Sequence, residues 1–473
     1  MTETKKSSKP TKPESSVFPA REIILEILLE VTAGREYSHI MIRNVLEKYN
    51  YIRTEEKAFI KRVSEGTLER MIQIDYVINQ YSTVKIEKMK PVIRNILRMA
   101  TFQILFMNGV PDSAACNEAV KLAQRKKFQQ LKGFVNGVLR TISRQKEEIK
   151  YPDPEKNRLL YYSIIYSMPE WILQMWEKEY SAEVVEKMCS ALLEEHKVTI
   201  RVNESLSEEE TKVLLSEIKA AGVECKRHEY LPYAYVLEHT EGAFAIPGFV
   251  DGRITIQDVS SMLAVEVAKI EPGMQIIDVC AAPGGKAVHA ASKLKGNGHV
   301  EARDLSESKV EMIQQNIDRM KQTQIDAVIA DACSLDQGKI ETADVVIADL
   351  PCSGLGVIGK KRDIKYHIQQ SSLQSITLLQ KEILTVVQNY VKPGGTLLYS
   401  TCTIHKGENE EIVDWFLEQF SYRLDPISPF LPHQLRSAQT DKGYLQLLPG
   451  IHAADGFFMA RFVKIATEKD KEK

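Results

Sequence analysis

The strongest constraint on the fold is an alternation of short apolar runs with longer helical patterns that begins near Gly252. Short runs rich in Val, Ile and Ala predict strands, and segments that repeat apolar residues every three or four positions predict helices. Strands separated by helices favour a parallel sheet covered by helices on both faces. The predicted strands lie at residues 275–279, 299–302, 327–330, 345–348, 395–399 and 457–463. We therefore predict a Rossmann-like α/β domain over residues 252–464.

The residues before this domain predict two further units, so the chain of 473 residues is multidomain. Helical spacing of apolar residues, as in Ile23, Ile27 and Val31, predicts an all-α domain over residues 19–150. Residues 151–251 predict linker helices, one of them over 161–180, and a small α/β domain of the split-βαβ, RRM-like kind. Its predicted strands, 198–202 and 235–238, flank a helix over 208–221. We expect a disordered tail over 1–18 and a charged tail over 465–473.

The charge of the chain is unevenly distributed. The formal net charge is −2, but residues 1–150 contain 27 Lys and Arg against 17 Asp and Glu. Residues 1–150, about a third of the chain, therefore carry +10 and the rest −12. Residues 119–146 contain eight basic residues and no acidic one. Such a run is either a solvated helix face or a contact surface for nucleic acid, and we favour RNA contact.

Apolar patterning and cysteine spacing exclude several classes of protein. No run of about 18 uncharged apolar residues is present, and residues 1–16 do not resemble a secretory signal. We expect a cytoplasmic, monomeric protein without a membrane partner. The seven cysteines contain no C-x-x-C pair, so we expect reduced thiols and no bound metal. Four of them are interpreted as small buried apolar residues: Cys116, Cys189, Cys225 and Cys333.

A small-residue loop joins the first strand of the α/β domain to the next helix. Two glycines let a ligand approach the backbone closely, and the free N–H groups at the helix start favour an anionic group such as a carboxylate. Asp304, Asp331 and Asp349 follow the next three strands, and we assign them to the ribose hydroxyls, the adenine amine and the reacting end of a cofactor. Taken alone, each of these aspartates could equally be a turn-forming residue. The loop residues assigned to the cofactor are Cys280, Ala281, Ala282, Pro283, Gly284, Gly285 and Lys286.

Two thiols follow later strands of the same sheet. Cys352 comes shortly after Asp349, and Cys402 follows the fifth strand. A thiolate is strongly nucleophilic and can leave again, so either cysteine suits a reaction that passes through a covalent adduct. Proton removal in such a reaction needs a base. Asp349 is expected to stand beside this reacting centre.

The segment 280–286, Cys-Ala-Ala-Pro-Gly-Gly-Lys, resembles the signature of the RNA cytosine-C5 methyltransferases, which include bacterial Sun/Fmu and eukaryotic NOL/NOP2/Sun proteins. The resemblance implies S-adenosylmethionine as cofactor and a place for Lys286 in the active centre. It also implies a cytosine as the substrate, whose C5 becomes nucleophilic only after the nucleophile Cys402 adds to C6, whereas Cys352 assists product release. Asp349 is then expected to hydrogen-bond the N3/N4 edge of the base. The sequence departs from the pattern at Leu350, where the family usually has Ala, and in the loop 359–363, which lacks a proline. The basic residues in and after this loop are expected to set the fit to RNA: Lys360, Lys361, Arg362 and Lys365.

Residues 115–121 and 133–140 resemble the helical RNA-binding domain of the NusB antitermination factor. We interpret Asn136 there as a capping and packing residue. Joined to such a catalytic domain, this unit is similar to the bacterial 16S rRNA cytosine-C5 methyltransferase B group, which implies small-subunit rRNA as the substrate. Two alternatives stay open: a tRNA-directed enzyme of the same chemistry, and a non-catalytic RNA-binding or antitermination factor.

Overall fold

The computed structural model describes residues 19–49, 51–194, 197–238, 240 and 245–466. The chain forms two compact units, Met1–Tyr151 and Pro152–Lys473. The tail predicted at 1–18 and most of the tail predicted at 465–473 lie outside the described residues.

The first unit is helical, as predicted. Ile23, Ile27 and Val31 all face its core, because their three- and four-residue spacing places them on one side of α1. The fifth helix contacts most of the others and forms the centre of the unit. The helices are α1 (Ala20–Thr32), α2 (Ser38–Lys48), α3 (Thr54–Glu69), α4 (Met71–Tyr81), α5 (Pro91–Phe106), α6 (Asp112–Arg125) and α7 (Lys132–Arg144).

The second unit begins with three short helices and a small sheet. Pro169 ends the single helix expected over 161–180, so two helices, α8 (Arg158–Ile165) and α9 (Glu170–Glu177), stand in its place. They are followed by α10 (Ala182–Ala191), β1 (Val198–Val202), α11 (Glu208–Ala220), β2 (Glu224–Arg227), β3 (Ala234–Glu238) and β4 (Ile254–Ile256).

The small sheet has the order β2-β3-β1-β4, and all its pairs are antiparallel. Since β3 lies between β1 and β2, those two strands run parallel and are joined by α11, which is the predicted split βαβ unit. The strand β4 lies beyond residue 251 and pairs with β1, so the small sheet extends into the segment assigned to the catalytic domain.

The large sheet follows with helices on both of its faces. Its order is β10-β12-β9-β8-β5-β6-β7, with β11 paired to β12. Its elements are α12 (Val259–Ala268), β5 (Gln275–Asp278), α13 (Gly285–Lys293), β6 (His299–Asp304), α14 (Glu307–Arg319), β7 (Ile325–Ile329), β8 (Ala343–Asp349), α15 (Ile364–His367), α16 (Gln370–Val387), β9 (Val391–Thr401), α17 (Glu410–Gln419), β10 (Tyr422–Leu424), α18 (Ala438–Lys442), β11 (Tyr444–Leu447) and β12 (Phe457–Lys464).

The strands β5 to β9 are parallel, whereas β10, β11 and β12 form antiparallel pairs. Successive residues of β5 enter different cores: Ile276 packs on the side of α12 to α14, and Ile277 on the side of α16 and α17. The chain proceeds from β5 to β6 and β7 on one side, then returns to β8 and β9 on the other. The carboxyl ends of β5 and β8 therefore form the switch point at which such sheets bind ligands.

Candidate active site

The loop after β5 is held from two sides. The backbone N–H of Ala282 donates to Asp304 Oδ2 at 3.0 Å, and Asn316 Nδ2 donates to the carbonyl of Pro283 at 2.7 Å. Gly284 has φ of +103°, a conformation that favours glycine, and α13 begins at the next residue. The first N–H groups of α13 therefore lie at the carboxyl edge of the sheet without intrahelical acceptors.

The carboxylates at or just after the ends of β5 to β8 are in different environments; they are Asp278, Asp304, Asp331 and Asp349. Asp278 is 1% exposed and neither of its oxygens accepts a hydrogen bond. Burial, and then the neighbouring charge of Asp349, raise the pKa of Asp278 to about 7. Asp304 is also buried, but it accepts hydrogen bonds from Ala282 and from its neighbour Leu305. Asp331 is exposed and forms a turn by accepting from the backbone N–H of Cys333 at 2.9 Å. Asp331 is therefore a turn-forming residue, and this role is compatible with a contact to a cofactor.

Lys286 and Asp349 form an ion pair at the switch point. Lys286 Nζ lies 2.7 Å from Asp349 Oδ2, and Ser400 Oγ donates to Asp349 Oδ1 at 2.8 Å. Lys286 also donates to Ser261 Oγ at 3.2 Å. Burial acts to lower the pKa of Lys286, but Asp349 outweighs it, so the pKa is raised above its ordinary value and the side chain stays charged.

The two candidate cysteines meet at this ion pair. Their Sγ atoms are 3.1 Å apart, although Cys352 follows β8 and Cys402 follows β9. The contact with Cys352, in which either sulfur can donate, lowers the pKa of the Cys402 thiol, and Lys361 and Lys286 act in the same direction. The same contact, together with burial, raises the pKa of Cys352 well above its ordinary value. The structure therefore favours a thiolate on Cys402 and a neutral thiol on Cys352.

Residues that the sequence did not single out support these thiols. Asn409 Oδ1 accepts from Thr401 Oγ1 at 2.7 Å, and Asn409 Nδ2 donates to the carbonyl of Thr403 at 3.1 Å. The residues on both sides of Cys402 are thus held by one buried side chain, Thr401 through its hydroxyl and Thr403 through its carbonyl. Only the position of Asn409, seven residues after Cys402, offered a signal in the sequence.

Some basic side chains of the loop after Cys352 contact other residues of the protein. Lys360 Nζ lies 2.7 Å from Asp258 Oδ2 and 2.6 Å from Asp455 Oδ2. Lys365 is 2% exposed. Because Lys365 is buried, the expectation that it sets the fit to RNA is wrong. Lys360 is exposed, but its ammonium group is paired with two carboxylates. Lys361 remains exposed beside the thiols.

The four cysteines interpreted as small apolar residues differ in their burial. Cys116 and Cys189 are buried, as predicted, whereas Cys225 and Cys333 are only partly buried. Within the ranges that the structure describes, no set of three or more His, Cys, Asp and Glu side chains is arranged to bind a metal ion. In the same ranges no helix combines the length and the apolar composition needed to span a membrane.

In the helical unit, acidic side chains of α1 cover part of the basic segment. Arg125 Nη1 lies 3.1 Å from Glu22 Oε1, and Lys126 Nζ lies 3.4 Å from Glu26 Oε1. Lys127 follows α6 and is exposed. The positive charge available to a polyanion is consequently smaller than the count of basic residues implies.

The two NusB-like segments meet on the surface of α6 and α7. Arg140 Nη2 donates to Asn117 Oδ1 at 3.0 Å. Asn136 is exposed in the middle of α7, so its interpretation as a capping and packing residue is wrong. Gly133 and Gly137 lie on the same helix with open space where a Cβ would stand. This face presents bare backbone between polar side chains.

Fold and site together define an α/β methyltransferase with a helical NusB-like unit before it. The sequence matches the family described as 16S rRNA methyltransferase RsmB/F over residues 265–463, the NusB family over 19–144, and the RsmF/B-like ferredoxin-like domain over 168–242. These matches confirm the predicted class of each unit.

Similar proteins extend over almost the whole chain. "Probable ribosomal RNA small subunit methyltransferase B" of Bacillus subtilis (strain 168) is 33% identical over 94% of this chain and 98% of its own length. Ribosomal RNA small subunit methyltransferase B of Klebsiella pneumoniae (MGH 78578) is 31% identical over 87% and 90%. The crystal structure of PH0851 superposes with a TM-score of 0.78 at 26% identity, covering 95% of this chain and 99% of that one. The chain belongs to the 16S rRNA methyltransferase RsmB/F family.

Proposed function

We propose that this protein methylates C5 of a cytosine in 16S rRNA, with S-adenosylmethionine as methyl donor and Cys402 as the attacking thiolate. The observation that carries the proposal is the contact of 3.1 Å between the sulfur atoms of Cys352 and Cys402, next to the Lys286–Asp349 ion pair. Methylation of a nitrogen or an oxygen needs no thiol, whereas C5 methylation needs a nucleophile that adds and later leaves.

The residues at the switch point fit the proposed cofactor. The unpartnered carboxylate of Asp278 suits an ammonium group, and the start of α13 suits a carboxylate. Leu305 and Ile329 are 64% and 57% exposed at the ends of β6 and β7, where a flat apolar ring would cover them. Asp304 and Asp331 stand beside them, as expected for hydroxyl and amine acceptors. When bound, S-adenosylmethionine supplies an electrophilic methyl group on a sulfonium.

The chain's own residues account for the remaining chemistry. The Cys402 thiolate adds to C6 of the cytosine, which makes C5 nucleophilic. Asp349, 28% exposed at its side chain, keeps lone pairs that accept from the N3/N4 edge of the base and favour its protonated form. Lys286 fixes the orientation of Asp349. Once Cys402 is bonded to C6, its negative charge no longer holds the proton on Cys352, and that proton passes to solvent. The Cys352 thiolate then takes the C5 proton, Cys402 leaves as a thiolate, and the cytosine becomes aromatic again.

Loss of Cys402 and loss of Cys352 should have opposite effects on the covalent complex. A denaturing gel with substrate RNA and S-adenosylmethionine distinguishes the two variants. Cys402→Ala should give neither product nor a covalent complex. Cys352→Ala should still add and transfer the methyl group but stall before release, which leaves RNA covalently joined to the protein. A covalent band with Cys402→Ala that is absent with Cys352→Ala would reverse the two roles.

A tRNA-directed enzyme would keep the same catalytic residues. We favour rRNA because relatives named for the small ribosomal subunit match nearly the whole chain, including the helical unit. Bisulfite sequencing of rRNA and tRNA from cells with and without the protein separates the two. A methylated cytosine lost only from tRNA would overturn the rRNA assignment.

A further inference from the structure

Glu408 is a buried carboxylate beside the thiol pair. It is 0% exposed and precedes α17. Its Oε2 accepts from the backbone N–H of Ser353 at 2.8 Å and from Gln380 Nε2 at 3.2 Å. Its Oε1 lies 3.1 Å from His405 Nδ1. Three polar partners compensate for the loss of water around the charge, which a carboxylate at such depth requires.

One of these contacts fixes the position of Cys352. Ser353 is the next residue in the chain, so the hydrogen bond from its N–H anchors the turn that carries Cys352. Gln380 strengthens this anchor, because its Nε2 also donates to the carbonyl of Pro351 at 2.9 Å. The peptide groups on both sides of Cys352 are thereby tied to the carboxylate of Glu408.

The charged groups around the two sulfur atoms differ in sign. After the contact with Cys402 and burial, the carboxylate of Glu408 is the neighbouring charge that raises the pKa of Cys352. Lys286 and Lys361 act on Cys402, opposed in part by Asp349. A negative charge favours the protonated form of the thiol next to it, and positive charges favour a thiolate. The proton shared by the pair is therefore held on the Cys352 side.

We propose that Glu408 is a positioning residue that anchors the Cys352 turn and, by its charge, keeps the shared proton on Cys352, so that Cys402 is the thiolate. The inference deepens the proposed function and rests on it. Without this charge the two thiols, which face each other across 3.1 Å, would compete for the negative charge. The resting enzyme would then hold the thiolate on the wrong sulfur in a fraction of molecules.

The test is competitive alkylation of the two thiols by limiting iodoacetamide at pH 7.5, followed by mass spectrometry of the labelled peptides. A thiolate displaces iodide and a neutral thiol does not, so the ratio of Cys402 to Cys352 labelling reports where the negative charge resides. Neither RNA nor methyl donor is present. The result is thus independent of whether the gel assay supports the proposed reaction.

Glu408→Gln keeps an oxygen for Ser353 but removes the charge, and it should lower the labelling ratio at least about tenfold, the effect of one pKa unit. Glu408→Asp keeps the charge and should retain most of the preference for Cys402. Glu411→Gln, which removes an exposed charge three residues further along the chain in α17, is the matched control and should leave the ratio unchanged.

An unchanged ratio in folded Glu408→Gln, or an equal drop in Glu411→Gln, would overturn the proposal. If circular dichroism shows that Glu408→Gln is unfolded, Lys361→Gln decides the matter from the other side of the pair. Lys361 is exposed, so its loss should not affect folding. Its removal should also lower the ratio, and an unchanged ratio would overturn the charge asymmetry on which the proposal depends.

Discussion

The Lys286–Asp349 pair should be strongly coupled, and a double-mutant cycle with Lys286→Met and Asp349→Asn measures the coupling. At the observed 2.7 Å and an effective dielectric constant of about 20, the attraction is about 6 kcal/mol before desolvation is subtracted. The lysine side chain is 11% exposed and the aspartate 28%, so each single change leaves a largely buried charge without its partner. We expect each to lower the free energy of unfolding by roughly 2–4 kcal/mol, and the double variant to lose less than the sum by about 2 kcal/mol.

Urea unfolding followed by tryptophan fluorescence is the appropriate assay. All three tryptophans, at positions 171, 176 and 415, lie in the second unit, so the signal reports the unit that contains the pair. The Lys392–Asp344 pair is the matched control, since it has the same distance of 2.7 Å but side chains 37% and 30% exposed. Its coupling should stay below about 1 kcal/mol. Equal coupling in the two cycles would refute the argument that burial makes the active-site pair strong.

Three further outcomes are expected. Asp278→Asn should become more stable relative to the unchanged protein as pH rises from 5 to 8, by up to about 3 kcal/mol. The folded-state pKa of Asp278, about 7, lies above its ordinary value, so the stability that the protonated carboxyl contributes is lost as pH rises through this window. Urea unfolding at both pH values checks this. Asp304→Ala should weaken binding of S-adenosylmethionine by about 1–3 kcal/mol in calorimetry, since a buried acceptor and the anchor of the glycine loop are lost together. Replacing Arg125, Lys126 and Lys127 with Ala should raise the RNA dissociation constant and reduce its salt slope by at most about three, and an unchanged slope would show that they form a solvated face.

The convergence of the candidate site residues was predictable from the sequence because of one rule of sheet geometry. Carboxyl ends of parallel strands meet at one edge, so residues after separate strands come together whatever their distance along the chain. This rule brought Asp349, Cys352 and Cys402 into one place, and the glycine loop added Lys286. The apolar runs also predicted β5 to β9 and β12, although the structure extends most of them by one to several residues.

The short strands and the partners of the buried polar groups could not be predicted from the sequence, for two physical reasons. Short strands such as β4 and β10, three residues each, are too brief to show an apolar period. Partners of buried polar groups are also distant in sequence: Lys360 meets Asp258 across 102 residues, and Ser353 meets Glu408 across 55. A lysine on a basic loop is therefore interpreted as an RNA contact when the sequence does not reveal the carboxylates that pair with it. Leu350, which departs from the family pattern, packs in the core on the side of α16 and so affects volume rather than chemistry.

The energetics of the site bear on the alternative of a non-catalytic RNA-binding factor. Asp278 is buried without a hydrogen-bond partner, and Lys286 is a largely buried cation that needs Asp349 to stay charged. Both are costly arrangements, since apolar residues of similar volume at such positions are often neutral or stabilising. In a domain that serves only as a scaffold, an unpartnered carboxylate, a buried ion pair and two thiols in contact at one sheet edge would cost stability without any function. In a domain that binds an ammonium group, orients a base and holds a thiolate, each of these groups has a function. The catalytic alternative therefore explains why the destabilising groups are present.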